Sequence, residues 1–149
     1  ESAVIAANGT VARIANLYGP GMAKGNVLTK ILSQVPGADD VVVCDDSPGR
    51  DFIWIDDAAA ALQELITAPI RGVFNLGSGI GASIREVARS ALEWTNQRER
   101  MIRSSQPSAR LSHLVLDITE TTELTGWKPV TTLHQGIGNL LGMKNSQRA

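Results

Sequence analysis

The stretch GVFNLGSGIGAS, residues 72–83, sets glycines at 77, 79 and 81 between an apolar run and the start of an amphipathic segment. A glycine-rich turn between a strand and a helix bares several backbone N–H groups at once, and such a turn can grip a phosphate. The dinucleotide-binding form reads G-x-G-x-x-G, with an acidic side chain about 20 residues further on for the ribose hydroxyls. Here the third glycine comes one residue early, Ala82 and Ser83 follow it, and the chain after residue 95 reads NQRERMIRSS. The spacing points to a structural turn whose free amides are met by Ser83, not to an independent nucleotide site.

Other reactive side chains give weaker patterns. Asp56 and Asp57 are adjacent, and adjacent residues on a helix point about 100° apart, so capping of a helix start suits them better than paired acid–base work. His113 and His134 fall on separate segments with no Cys, Asp or Glu at ligand spacing, so no metal site is expected. Cys44 is the single cysteine. It ends a β-branched run and is expected to pack rather than react. Trp54, Trp94 and Trp127 read as core or lid aromatics, and QRERMIR as a solvated face.

These residues need elements to hold them. TVARIANLYGP, residues 10–20, reads as one buried strand closed by Gly19-Pro20, with Asn16 and Tyr18 on one face by its period of two. NVLTKILSQVPG is an amphipathic helix stopped by Pro36-Gly37; DVVVCDD and RDFIWI are short strands either side of a DDSPG turn. DDAAAALQELITAP is helical, and Ser83 with Glu86 forms a capping box before the next helix. RMIRSS and HLVLD read as strands, ITETTELTGWKP as a short helix, and TTLHQGIGNLL as a last helix opened by a Thr132 to Gln135 box. ESAVIAANG reads as the end of a helix closing at Asn8-Gly9. Strands alternate with helices, which predicts an α/β fold with a partly parallel sheet. A single domain over residues 1–142 and a flexible tail over 143–149 are expected.

The totals narrow the function classes. The 149 residues are 43% hydrophobic and carry 14 basic against 15 acidic side chains. A formal net charge of -1 with no long basic run gives nucleic acid or an anionic membrane no electrostatic footprint. No apolar stretch reaches the roughly 20 residues a membrane helix requires. With one cysteine no internal disulfide can form, and a reducing cytoplasm is the expected compartment.

Read in order, RIANLYGPGM, GRDFIWIDDAAAAL, GVFNLGSG and LTGWKP resemble the carboxyl-terminal half of an extended short-chain dehydrogenase/reductase, and more narrowly of the NAD-dependent nucleotide-sugar epimerase/dehydratase family. The resemblance spans about residues 9–141. It implies part of a Rossmann-like sheet of mostly parallel strands with flanking helices, the substrate-binding half of such an enzyme. It also implies that the family's glycine-rich NAD loop and catalytic Tyr-x-x-x-Lys precede Glu1. Tyr18 is the only tyrosine and Met22 stands four positions on, so this chain holds no such pair and no catalytic residue is assigned. In the family that pair works as a general acid–base with a lowered tyrosine pKa, which a methionine cannot supply.

The resemblance further implies substrate-binding residues. Asn16 would contact the substrate diphosphate or the nicotinamide edge, or else hold its own turn by local backbone bonds. Ala15 would offer only its backbone to the cofactor. Arg50 would pair with the diphosphate through its planar fork, unless it is an exposed turn arginine next to Asp51. Gln106 or Arg110 would stand where the family often carries a second arginine. NAD(P) is implied for the family, with none expected on this chain by itself. Expected partners are a nucleotide-sugar and either the NAD-binding half or a second copy, because the face left bare would be apolar. A homo-oligomer follows from that, and a non-catalytic interaction module is the rival reading.

Overall fold

The computed structural model describes residues 1–110 and 112–146. In chain order the elements are α1 (Ser2–Ala6), β1 (Thr10–Ile14), β2 (Asn16–Tyr18), α2 (Val27–Gln34), β3 (Val41–Val43), β4 (Gly49–Trp54) and α3 (Ile55–Thr67). There follow β5 (Gly72–Leu76), β6 (Gly81–Ser83), α4 (Ile84–Trp94), β7 (Ile102–Ser104), β8 (His113–Leu114), α5 (Thr119–Thr125) and α6 (Leu133–Ser146). The fold is α/β with mostly parallel strands, as expected. Strands β1 and β5, β2 and β4, β3 and β7, and β4 and β8 pair in parallel, while β4 and β6 run antiparallel. No helix among the described residues is long and apolar enough to cross a membrane.

The strand expected over residues 10–20 is two. β1 lies against β5, and β2 leaves it to lie against β4, with Ala15 at the crossing donating its N–H to Leu76 O at 2.9 Å. One segment thus joins two sheets. Of the two residues sharing its face, Tyr18 is buried and Asn16 is exposed.

Strand β4 divides the core because its side chains alternate. Phe52 and Trp54 enter one cluster with Tyr18, Leu32, Val87 and Ile137, where α2, α4 and α6 pack. Ile53 enters the other with Ala58, Leu65, Phe74, Leu76 and Trp127, under α3 and α5. Each fully buried Leu, Ile or Phe contributes about 1.5–3 kcal/mol relative to exposure, so the two clusters hold the sheets together. Tyr18 joins the first cluster's part of β4 to α6: its ring meets Trp54 edge-on at 5.3 Å, and a Cβ on Gly136 would overlap its phenol.

Helix ends show where local signals held. Ser83 Oγ accepts Glu86 N–H at 3.1 Å and Glu86 Oε2 accepts Ser83 N–H at 2.7 Å, a complete capping box. Thr132 and Gln135 repeat it on α6. Asp56 and Asp57 do not cap α3, because that helix begins at Ile55 with Trp54 at its cap position. Asp56 instead accepts the Trp54 indole N–H at 3.0 Å. Arg100, expected in a solvated face, donates to Gln34 O, Val35 O and Asp39 O and satisfies the carbonyls left free where α2 ends. Helix α6 runs to Ser146, into the stretch expected as a tail, and residues 147–149 lie outside the described residues.

The hydrogen bonds from Ser83, its backbone N–H first, hold the Glu86 carboxyl below its ordinary value of 4.5. A depressed folded-state pKa stabilises above the unfolded value and loses that contribution as pH falls through the folded one. Ser83→Ala should therefore cost about 1 kcal/mol at neutral pH. In urea titrations the gap between the two proteins should narrow below about pH 4; a gap that widens in acid would contradict the box as the source.

Candidate functional site

The turn after β5 answers the question its glycines raise. Ser78 N–H and Gly79 N–H donate to the two carboxylate oxygens of Asp51 at 2.8 and 3.1 Å, and Ser78 Oγ–H donates to the same group at 2.5 Å. Leu116 N–H adds a fourth donor at 3.3 Å. The turn does bind an anion, and the anion is its own aspartate. Asp51 is 1% exposed, and a Cβ on Gly77 would run into its carboxylate, so glycine at 77 is what lets the turn close over it. Ser83, expected to satisfy these amides, is engaged with Glu86 instead, and β6 intervenes between the turn and α4. The signal that would have found Asp51 is strand alternation: residues 50 and 51 must point to opposite faces, so Asp51 could not be Arg50's partner.

Residue 51 also holds one of the candidate binding residues. Asn16 Nδ2 donates to Asp51 O at 2.8 Å, a bond across 35 positions rather than the local turn bond considered from sequence. Arg50 Nη1 donates to Gly49 O at 2.7 Å and to Ser112 O at 2.9 Å. Those bonds hold the guanidinium beside Ser112, just before β8, and it makes no ion pair with Asp51 among the described residues. No bond from Arg50 Nε or Nη2 occurs among the described residues. Gly49 and Arg50 are paired on both sides, by β6 and by β8, which makes this the most constrained part of β4.

The other candidates border the same region. Gln106 N–H donates to Cys44 O at 2.7 Å, and Ser108 N–H to Asp45 at 3.2 Å, so residues 105–108 lie along the turn between β3 and β4. Asp45 also accepts Ser47 N–H and Oγ–H, and the backbone bond, the stronger influence, lowers its pKa. Arg110 is exposed and anchored by its backbone N–H to Ser108 Oγ at 3.1 Å. Gln106 and Ser108 thus bond to the turn between β3 and β4, Arg50 to Ser112, and Asn16 to Asp51 O. Ala15 departs from expectation in part: its N–H is taken by Leu76, leaving only its carbonyl for a cofactor. Cys44, expected to pack, is exposed, with its thiol 3.6 Å from Gln106 Oε1.

Tyr18, the single tyrosine, is walled into the core. It is 1% exposed, its hydroxyl donates to Thr132 O at 3.4 Å, and burial, helped by the Asp57 charge, raises its pKa far above 10.0.

Comparison with known proteins places this geometry. Residues 3–77 match the NAD dependent epimerase/dehydratase family. The dTDP-L-rhamnose 4-epimerase of Burkholderia thailandensis is 30% identical over 138 residues, covering 88% of this chain and 38% of that protein. The GDP-6-deoxy-D-mannose reductase of Pseudomonas aeruginosa is 32% identical over 145 residues, covering 88% and 46%. Among solved structures, RMD from Pseudomonas aeruginosa complexed with NADPH superposes with a TM-score of 0.84 at 26% identity, over 94% of this chain and 49% of that one. A UDP-glucose 4-epimerase with UDP-glucose from Thermotoga maritima gives 0.79 at 23% identity, over 95% and 47%, a likeness of fold. The chain spans 29% to 46% of the length of the curated relatives it matches.

Replacing Asp51 by Asn turns an N–H₂ toward donors that need an acceptor. The variant should lose about 2–3 kcal/mol in chemical denaturation, the cost of buried donors left unpaired beside a former charge. Amide exchange at Ser78 and Gly79 should speed up more than exchange at Ile53. Unchanged protection at those two amides would show that the turn holds its shape without the carboxylate.

Proposed function

Since the chain belongs to the NAD dependent epimerase/dehydratase family, we propose that it is the substrate-binding, carboxyl-terminal portion of a nucleotide-sugar epimerase or dehydratase. In this reading the NAD(P)-binding half and the Tyr-Lys pair come from polypeptide outside these 149 residues. The observation that carries it is Arg50, whose guanidinium is held by Ser112 O with Nε and Nη2 making no bond among the described residues, on a strand that Asn16 also reaches through Asp51 O. It is supported by relatives whose names describe enzymes of dTDP-, UDP- and GDP-sugars, over less than half of their length.

Arg50 supplies fixed positive charge for a diphosphate, with one nitrogen holding the side chain to Ser112 and the remaining N–H groups to donate. Asn16 Oδ1 and the backbone near Gln106 and Arg110 add polar contacts that orient without charge. These residues do not fit the diphosphate of a dinucleotide: the glycine turn is filled by Asp51 and the Ala15 N–H is spent. NAD(P), when bound, supplies hydride transfer, and no step of that chemistry is assigned to this chain. The chain alone is inactive in this reading, and residues 1–142 form one unit.

A second reading is an interaction module that kept the fold without the chemistry. It is favoured by exposed Val4, Ile5, Ile14 and Leu17 at or beside β1, whose only strand partner among the described residues is β5. Such apolar surface is covered by a second copy or by an NAD-binding half. Light scattering at high concentration should then show a homo-oligomer, dispersed by Ile14→Glu; a monomer at all concentrations counts against it.

Calorimetric titration with UDP-glucose and dTDP-glucose tests the leading reading. Heat is expected at millimolar ligand, with Arg50→Ala weakening affinity about tenfold or more, the worth of one charge-assisted bond. Neither sugar should turn over when NAD+ is added. Absence of heat removes the binding claim, and turnover by the isolated chain removes the claim of inactivity.

A further inference from the structure

A cleft of about 500 Å³ opens between α4, the turn from β5 to β6, and the segment 129–134. None of Ala15, Asn16, Arg50, Gln106 and Arg110 lines it. Its size falls in the range of small-molecule sites, and its walls have their character: apolar surface with a few placed polar groups. Phe52, Ile80, Val130 and Leu133 supply the apolar part.

Both lips are set in place by buried carboxylates. Asp57, 5% exposed, accepts Val130 N–H at 3.3 Å and Thr131 N–H at 2.9 Å. On the other lip Ser78 Oγ accepts Ile80 N–H at 3.2 Å while itself held by Asp51. A ligand would therefore meet a cleft that needs little ordering, which lowers the entropic cost of binding. His134 is fixed as well. Its Nδ1 lies 2.8 Å from the buried Ser90 hydroxyl, its ring stacks on Trp94 at 5.1 Å, and the Trp94 indole donates to His134 O at 2.7 Å.

Charge decides the ligand. Glu86 and Glu93 both line the cleft, and neither has an ion-pair partner among the described residues. Glu86 Oε2 takes both bonds from Ser83, and Oε1 makes no hydrogen bond among the described residues. Glu93 has no side-chain hydrogen bond among the described residues. Arg89, the cation on the same wall, is drawn to Arg98 O by a 2.6 Å bond from Nη1. Two carboxylates against one engaged guanidinium leave the wall negative beside an apolar floor. We propose that this cleft binds a small aromatic cation, its ring against Phe52, Ile80 and Leu133 and its ammonium on Glu93.

Tryptamine and indole-3-propionate carry a similar indole ring with opposite charge, and each can be titrated into the ¹⁵N-labelled full chain. Tryptamine should move the amide signals of Ile80, Glu93, Val130 and His134, with a Kd about tenfold below that of indole-3-propionate, as one charge-assisted pair implies. Glu93→Gln, a change of similar shape at a side chain with no hydrogen-bond or ion-pair partner among the described residues, should bring the two within about threefold. Glu93→Lys should invert the order. Equal affinities in the unmodified chain, no shift with millimolar tryptamine, shifts centred on Arg50 and Gln106, or a preference untouched by Glu93→Gln would overturn the proposal.

Discussion

The structure depends on a carboxylate buried where strand, turn and neighbouring segment meet. Asp51 gathers donors from Ser78, Gly79 and Leu116, while its own carbonyl takes the Asn16 side chain. An ionised group removed from water is costly unless its lone pairs are filled, and here four donors fill them. The same bonds use up the free amides of a glycine-rich turn that would otherwise require water or a ligand. A tethered carboxylate meets those amides at an effective concentration no free phosphate matches.

The same device recurs. Asp57 reaches from the first turn of α3 to the backbone of residues 130 and 131, and Asp46 accepts the Ser104 hydroxyl at 2.7 Å while pairing with Arg85. Asp51 and Asp57 each belong to one element and restrain a loop from another, whereas Asp46 lies in the loop between β3 and β4 and ties it to β7 and α4. Loops built this way hold their shape without long strands, which suits a fold whose strands run from 2 to 6 residues. The placement of Arg50 follows from it: side chains on β4 alternate between two cores, Asp51 secures the inner face, and Arg50 is left on the other with β6 and β8 on either side.

Arg50 bonds to Ser112 just before β8, and Gln106 N–H to Cys44 O in the turn between β3 and β4. The sole phenol is spent as a strut between Trp54, Phe52 and the opening of α6, in a medium that keeps it protonated. Catalysis of the family's type requires the opposite environment for a tyrosine, one in which a nearby cation lowers its pKa.

Local signals in the sequence were enough for much of this. Capping boxes at Ser83 and Thr132, the stops at Pro36-Gly37 and Gly126, and the alternation of strands with helices are written in residues a few positions apart, and the structure has them. Family membership was also legible, because it rests on ordered short motifs. What only the tertiary structure decided were bonds between distant positions: Asp51 with residues 78 and 79, Asp57 with 130 and 131, Arg100 with the end of α2, and the division of residues 10–18 between two sheets. Hydrogen-bond donors and acceptors look alike in a sequence whoever their partner is. Their choice is made by which backbone groups packing leaves bare, and that is known only when the elements are in place.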